Sequence, residues 1–232
     1  MEIAGVVRRL ARYPVKSMRG ETLQAAPLTL QGIAMDRRFA FVQAASRSSF
    51  PWLTAREMPD LLRYRTATDG ESVMVMSPWG DEWPVASDEL KRDLETRSGR
   101  SIYLLQDHRG SYDIGHISLI STQTVARIAE ESGTPPEAWR FRPNLLIDLA
   151  SGLPFEELQW VGRTVRVGAT ARVAITEVDQ RCTMITLDPE TAQFSPPVLK
   201  SVVQNHAKCA GVYGSVLTAG EIRDGDTVTI EN

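Results

Sequence analysis

Short runs in which apolar and polar residues alternate dominate this chain, and most of them end at a turn-forming Gly, Pro, Asn or Asp. Ile3 to Leu10, Leu23 to Leu30, Arg38 to Gln43 and Leu61 to Thr66 carry the two-residue period of strands, and Asp69-Gly70 predicts a hairpin turn into Ser72 to Met76. Ile102 to Gln106, Leu145 to Asp148, Thr164 to Val167, Arg172 to Val178 and Thr227 to Ile230 continue the series. Helical periodicity is confined to two main stretches. Ser87-Asp88-Glu89 opens a helix through Leu90 and Leu94 to Arg97, with Gly99 placed to end it. A second helix, from about Thr122 to Glu131, buries Val125, Ile128 and Ala129 and stops before Gly133 and Pro135-Pro136. A short helical turn is expected near Arg56 to Leu61. Strands separated by turns rather than by helices predict a mainly β chain with a few helices, an α+β class built on barrels or a sandwich. They argue against a doubly wound nucleotide-binding sheet. A division, if present, falls between residues 77 and 100 and gives an N-terminal part of residues 1–90 and a larger part of residues 91–232.

Composition bounds the function. The chain has 232 residues, 42% hydrophobic and 24% charged, so it can bury a substantial core and is not disordered. A net charge of -3 with a pI near 5.7 supplies no overall basic field, and neither nucleic acid nor a membrane surface is expected as a partner. The first nine residues lack the profile of a secretory signal, and no stretch approaches the roughly 18 apolar residues of a membrane span. A reducing cytoplasm is the expected compartment. The two cysteines, Cys182 and Cys209, make no framework and no CxxC pair, although one bridge between them stays open.

Chemistry concentrates at a few points. Cys182, in Arg181-Cys182-Thr183-Met184-Ile185-Thr186-Leu187-Asp188-Pro189, follows the strand-like Arg172 to Val178 and precedes the turn-forming Asp188-Pro189, so it is expected where a sheet hands over to a loop. A thiolate there gains from nearby positive charge, although Arg181 and Cys182 would face opposite ways along a strand; read locally, the thiol is equally an inert buried one. Tyr13-Pro14-Val15-Lys16-Ser17-Met18 sets an ammonium and a hydroxyl together, suited to a phosphate oxygen or to solvent. Asp36-Arg37-Arg38-Phe39 sends one arginine into a cleft and the other to water, or forms a surface ion pair. Phe141-Arg142-Pro143-Asn144 offers a fork of donors and an amide to a heterocycle edge, or closes a loop onto the following strand.

These runs occur in one order together with Trp52-Leu53-Thr54-Ala55-Arg56, Tyr213-Gly214 and the closing Gly220 to Val228. Together they resemble the MOSC superfamily, the C-terminal domain of molybdenum cofactor sulfurase, with its N-terminal β-barrel domain, and most of all the amidoxime-reducing type. The resemblance spans nearly the whole chain and implies an N-terminal MOSC-type β-barrel packed on a C-terminal MOSC β-barrel. It implies the molybdenum cofactor (Mo-molybdopterin), with Cys182 as metal ligand and catalytic residue. Lys16, Ser17 and Arg37 would contact the phosphate, Arg142 and Asn144 the pterin, and Thr183 and Asp188 would lie near the metal. The implied activity is reduction of small N-hydroxylated substrates: amidoximes, hydroxylamines or N-hydroxylated bases. The family also carries an association with pyridoxal phosphate.

Two cysteines cannot hold a ferredoxin-type cluster, so a separate electron donor is expected, whether ferredoxin, flavoprotein or haem protein. The same residues would serve a carrier of the cofactor or of sulfur. A cysteine hydrolase pairing Cys182 with His116 or His206 is the remaining alternative, and it lacks a nucleophile motif. Cys209 reads as a non-catalytic thiol in a polar segment of little order.

Overall fold

The computed structural model describes residues 2–231. Its first strand, β1 (Glu2–Arg12), leads through β2 (Glu21–Leu23), β3 (Ala25–Thr29) and β4 (Gly32–Ile33) to β5 (Phe39–Gln43). Next come β6 (Arg65–Asp69), β7 (Ser72–Met76) and β8 (Glu82–Pro84), then α1 (Asp88–Ser98) and β9 (Ile102–Gln106). The second half runs β10 (Ile117–Ser121), α2 (Thr122–Ser132), β11 (Leu145–Leu149), β12 (Thr164–Val167) and β13 (Ala171–Gln180). It ends with α3 (Pro196–Asn205), β14 (Cys209–Thr218), β15 (Gly220–Arg223) and β16 (Thr227–Glu231).

Seven of these strands close a barrel in the order β11-β10-β14-β13-β12-β16-β1, with β1 returning to pair with β11 and β2 attached outside β1. The β10–β11 pair is parallel, because α2 forms a crossover between them; the other pairs are antiparallel. Alternation along the strands fills the interior with Val7, Leu10, Leu119, Ile147, Val165, Val173, Val212 and Val228. A second core lies between β5, β9, the β6-β7-β8 meander and α1, around Phe39, Phe41, Leu61, Val75, Leu90 and Leu94. α2 and α3 pack over a third, containing Ile120, Ile128, Val198 and Val202.

The mainly β architecture is as the sequence predicts, and both expected helices form with serine caps, Ser87 on α1 and Ser121 on α2, and with left-handed Gly99 and Gly133 at their ends. Other expectations need correction. Leu23 to Leu30 is two strands, and Leu61 to Thr66 begins in the 3-10 turn Pro59–Arg63 before β6 starts at Arg65. α3 and β14 were not foreseen. α3 opens on Pro196-Pro197, a pair that reads as loop yet suits a first helical turn, where the missing N–H would be unpaired in any case. β14 is interrupted by Gly211 and Gly214. At Gly211 (φ +80°) a side chain would meet the Leu119 carbonyl at 2.6 Å, so glycine there permits close approach of two strands. The two parts of the chain also interlock: β1 is a stave of the barrel otherwise made by residues beyond 116, and β15 pairs with β3.

Candidate functional site

A cleft of about 290 Å3 is lined by residues from both halves of the chain. Lys16, Ser17, Arg37, Arg142, Asn144 and Cys182, drawn from four separate stretches of chain, all line it. Thr183 and Asp188 do not.

Cys182 stands just past the end of β13. Arg181 N–H bonds the Lys208 carbonyl at 2.8 Å as a last ladder contact, and Cys182 then opens the 3-10 turn Thr183–Thr186. The thiol is exposed, as expected for a strand-to-loop handover, and both cysteines are free. Because regular alternation stops at Gln180, Arg181 and Cys182 line the same cleft instead of facing opposite ways. Arg181 is buried, donating from Nε to the Ala210 carbonyl at 2.7 Å and from Nη1 to the Phe141 carbonyl at 2.8 Å. Asp179 lies 2.8 Å from its Nη1 but off the hydrogen-bond line, and burial pushes this carboxyl up, with Arg181 offsetting part of the effect.

The other cations are held by backbone and aromatic rings. Tyr13, wholly buried, has the Arg37 and Arg142 guanidinium groups over its ring at 4.5 and 4.3 Å, and burial pushes its phenol up to about 12. Arg37 is paired with Asp36 and donates to Asn144 Oδ1 and to the Arg142 carbonyl, each at 3.2 Å. Burial opposes its charge, but Asp36 together with Tyr13 and Tyr112 more than offsets burial and raises its pKa. Arg142 has no such acid: it donates to the Met18 carbonyl at 2.7 Å, and burial, helped by Arg37, lowers its pKa to about 10, still cationic at neutral pH. Arg38 faces outward beside exposed His108, so one arginine of the pair enters the cleft.

Ser17 (φ 66°), Arg37 (φ 47°) and Arg142 (φ 51°) all adopt left-handed backbone that non-glycine residues avoid. Such strain persists only where surrounding structure enforces it, and three of the eight non-glycine residues of positive φ among the described residues line this cleft.

Two expected contacts have a different character. The Asn144 side-chain amide is saturated: Nδ2 donates to the Ala11 carbonyl and Asp36 at 3.1 Å each, while Oδ1 accepts from Ser118 N–H and Arg37. It fastens β1, β10 and Arg37 together rather than presenting a free edge. Asp188 accepts from the Glu190 and Thr191 amides and pairs at 2.9 Å with Arg140, which does line the cleft; Asp188 therefore acts through Arg140. Thr183 is exposed, and its carbonyl accepts from the Thr186 hydroxyl.

Sequence reading missed Arg140, Ser111, Asp113 and Ser118, and gave no role to Thr54, Arg56 and Tyr213; all of these line the cleft. The Arg140-Phe141-Arg142 spacing was a usable signal for the first, since the two arginines flank a core phenylalanine. Among the described residues, five of the eleven buried polar side-chain atoms without a hydrogen-bond partner belong to cleft residues: Ser111 Oγ, Ser118 Oγ, Arg140 Nε, Asp179 Oδ2 and Arg181 Nη2. Unsatisfied buried groups are costly, and those in the cleft are placed to be satisfied by a polar ligand.

Two family models match the chain. Residues 107–229 match the MOSC domain and residues 4–115 the MOSC N-terminal beta barrel domain. This chain belongs to the MOSC family. Curated MOSC relatives include the molybdenum cofactor sulfurase of Oryza sativa subsp. japonica, 23% identical over 94% of this chain, and that of Drosophila grimshawi, 24% identical over 96%. The alignments cover 33% and 34% of those two proteins, so this MOSC chain spans about a third of their length. Among solved structures, the YUAD protein from Bacillus subtilis superposes with a TM-score of 0.55 at 13% identity, covering 98% of this chain and 96% of that one. At that identity the likeness establishes the fold.

Proposed function

We propose that this MOSC protein is a molybdenum cofactor-dependent oxidoreductase that reduces N-hydroxylated substrates such as amidoximes, hydroxylamines or N-hydroxylated bases. The observation that carries the reading is the convergence of an exposed thiol, Cys182, with the cationic side chains of Lys16, Arg37, Arg142 and Arg181 in one cleft. Among the described residues no cluster of three or more His, Cys, Asp or Glu could hold a metal ion by itself, which suits an ion carried mostly by an organic ligand with one added thiolate. The partnerless donors of Arg140 and Arg181 and the free hydroxyls of Ser111 and Ser118 fit a polar, phosphorylated group.

Cys182 would ligate the metal, and Lys16, Ser17, Arg37 and Arg142 would bind the phosphate and pterin. Bound there, the cofactor would supply two-electron chemistry at molybdenum. Reduction of a hydroxylamine consumes two electrons and two protons and yields an amine and water. A separate one-electron carrier, whether ferredoxin, flavoprotein or haem protein, would provide the electrons. The chain's own residues orient the cofactor, and the saturated Asn144 network holds Arg37 in place for that task. The reading stops short of pyridoxal phosphate: Lys16, the single lysine lining the cleft, has its ammonium held by Ser111 and Asp113. Among the described residues no helix is long and apolar enough to cross a membrane.

The exposure of Cys182 and the name shared by both curated relatives also favour a second reading, a carrier of the cofactor or of sulfur. One experiment separates the two. Protein from a cofactor-competent host should contain molybdenum near one atom per chain and reduce benzamidoxime over many turnovers with reduced viologen as electron donor. Cys182→Ala should abolish that activity. Full loading without turnover would leave the carrier reading, and activity undiminished in metal-free protein would remove both.

A further inference from the structure

Lys16 supplies the ammonium of the cleft, is nearly buried, and already has a carboxylate. Its Nζ donates to the Ser111 carbonyl at 2.7 Å and to Asp113 Oδ1 at 2.5 Å, while the Phe50 and Trp52 rings each lie 5.5 Å away. Burial lowers the pKa of Lys16, and Asp113 opposes that shift. The two partners are unequally placed: the Lys16 side chain is 8% exposed and that of Asp113 is 55% exposed.

The chain before Asp113 is pinned. Ser111 N–H bonds the Arg37 carbonyl at 2.7 Å, and the Tyr112 hydroxyl donates to the Gln31 and Asp36 carbonyls at 3.1 and 3.2 Å. Asp113 itself makes one side-chain hydrogen bond, the one to Lys16. Rotation of a single exposed side chain therefore releases the ammonium from its carboxylate without moving the loop, while the Ser111 carbonyl still holds it. Beside it, Ser111 Oγ is buried and has no partner.

We infer that Asp113 is a resident counter-ion that occupies the phosphate position of the cleft and is displaced when a phosphate group binds Lys16. This rests on reading the cleft as a phosphate site, and it is independent of the redox chemistry proposed above. A buried ammonium requires a nearby negative charge, and Asp113 supplies it in the free chain. A phosphate group replaces that single charge with about two, which favours the exchange near Arg37 and Arg142. Every binding event must nevertheless break the Lys16–Asp113 pair, so Asp113 sets the affinity of the site.

The test is a titration of the cofactor-free full chain with inorganic phosphate at constant ionic strength, by calorimetry and by thermal denaturation. Asp113→Asn should bind phosphate about tenfold more tightly than the parent, equivalent to ~1.4 kcal/mol. Without phosphate it should melt below the parent, because Lys16 has lost its counter-ion, and phosphate should raise its melting temperature by more than it raises the parent's. In a Lys16→Gln background, Asp113→Asn should no longer change phosphate affinity. Equal or weaker binding by Asp113→Asn would overturn the inference and leave the phosphate site standing. Absence of phosphate binding in the parent and both variants would overturn the inference and the phosphate reading together.

Discussion

Arg142 illustrates what a single position in the cleft costs and provides. Its cation is buried without a carboxylate of its own, and its pKa falls to about 10 because of that burial and the nearby Arg37. A charge kept under such conditions serves a ligand better than it serves the fold. Arg142→Ala should therefore lower cofactor occupancy about tenfold or more, since a charge-assisted hydrogen bond is worth ~1.5–3 kcal/mol. Stability should change by no more than ~1 kcal/mol, the loss of the Met18 contact being offset by relief of a buried cation. Metal analysis and urea denaturation of the same preparations check the two halves, and a large stability loss with unchanged occupancy would reject the anchoring role. At this scale residue type was informative: the cysteine, the lysine and the two arginines singled out in the sequence line one cleft. Hydrogen-bond saturation was not. The Asn144 amide and the Asp188–Arg140 pair are fixed by partners 25 or more residues away, such as Ser118 N–H (26 residues) and Asp188 itself (48 residues from Arg140).

Among elements, one carboxylate ties α2 to α3 beside the apolar core the two helices share. Glu131 accepts from Ser201 at 2.6 Å and Asn205 at 3.1 Å and lies 2.8 Å from His206, whose ring stacks on Phe155. Burial acts to raise its pKa, but these hydrogen bonds outweigh it and hold the carboxyl below its ordinary value. A depressed folded-state pKa adds stability above the unfolded value, near ~4.3, and that contribution is lost as pH falls through the folded value. Glu131→Gln should thus be less stable than the parent at neutral pH by about 1 kcal/mol, with the two converging below about pH 4. Denaturant titrations across that range provide the measurement; a constant gap at every pH would show that the charge is irrelevant. The helices with serine caps and terminal glycines were legible because those signals are local. α3 was hidden by its opening prolines and β14 by its glycines, whose reasons are packing contacts with distant strands.

At the scale of the molecule, the barrel closes only because its first and last staves meet. β1 pairs with β11 on one side and β16 on the other, and contributes the fully buried Val7 and Leu10 to the core. Each such side chain contributes ~1.5–3 kcal/mol on burial, a large part of a domain's total of ~5–15 kcal/mol. Residues 107–232 expressed alone should therefore fail to give a cooperative unfolding transition or dispersed amide resonances, and co-expression with residues 1–106 should restore both. A well-folded 107–232 fragment would instead mark that part as an autonomous domain.

By itself the sequence determined the mainly β class, the two capped helices and the residue types of the cleft, because these follow from period, caps and side-chain chemistry over short spans. Tertiary structure alone decided that β1 completes a barrel made otherwise by the far half of the chain, that Arg181 shares a cleft with Cys182, and that Asp113 occupies Lys16. Those outcomes depend on which distant segments meet, and pairing between segments a hundred residues apart leaves no signature in the local order of residues.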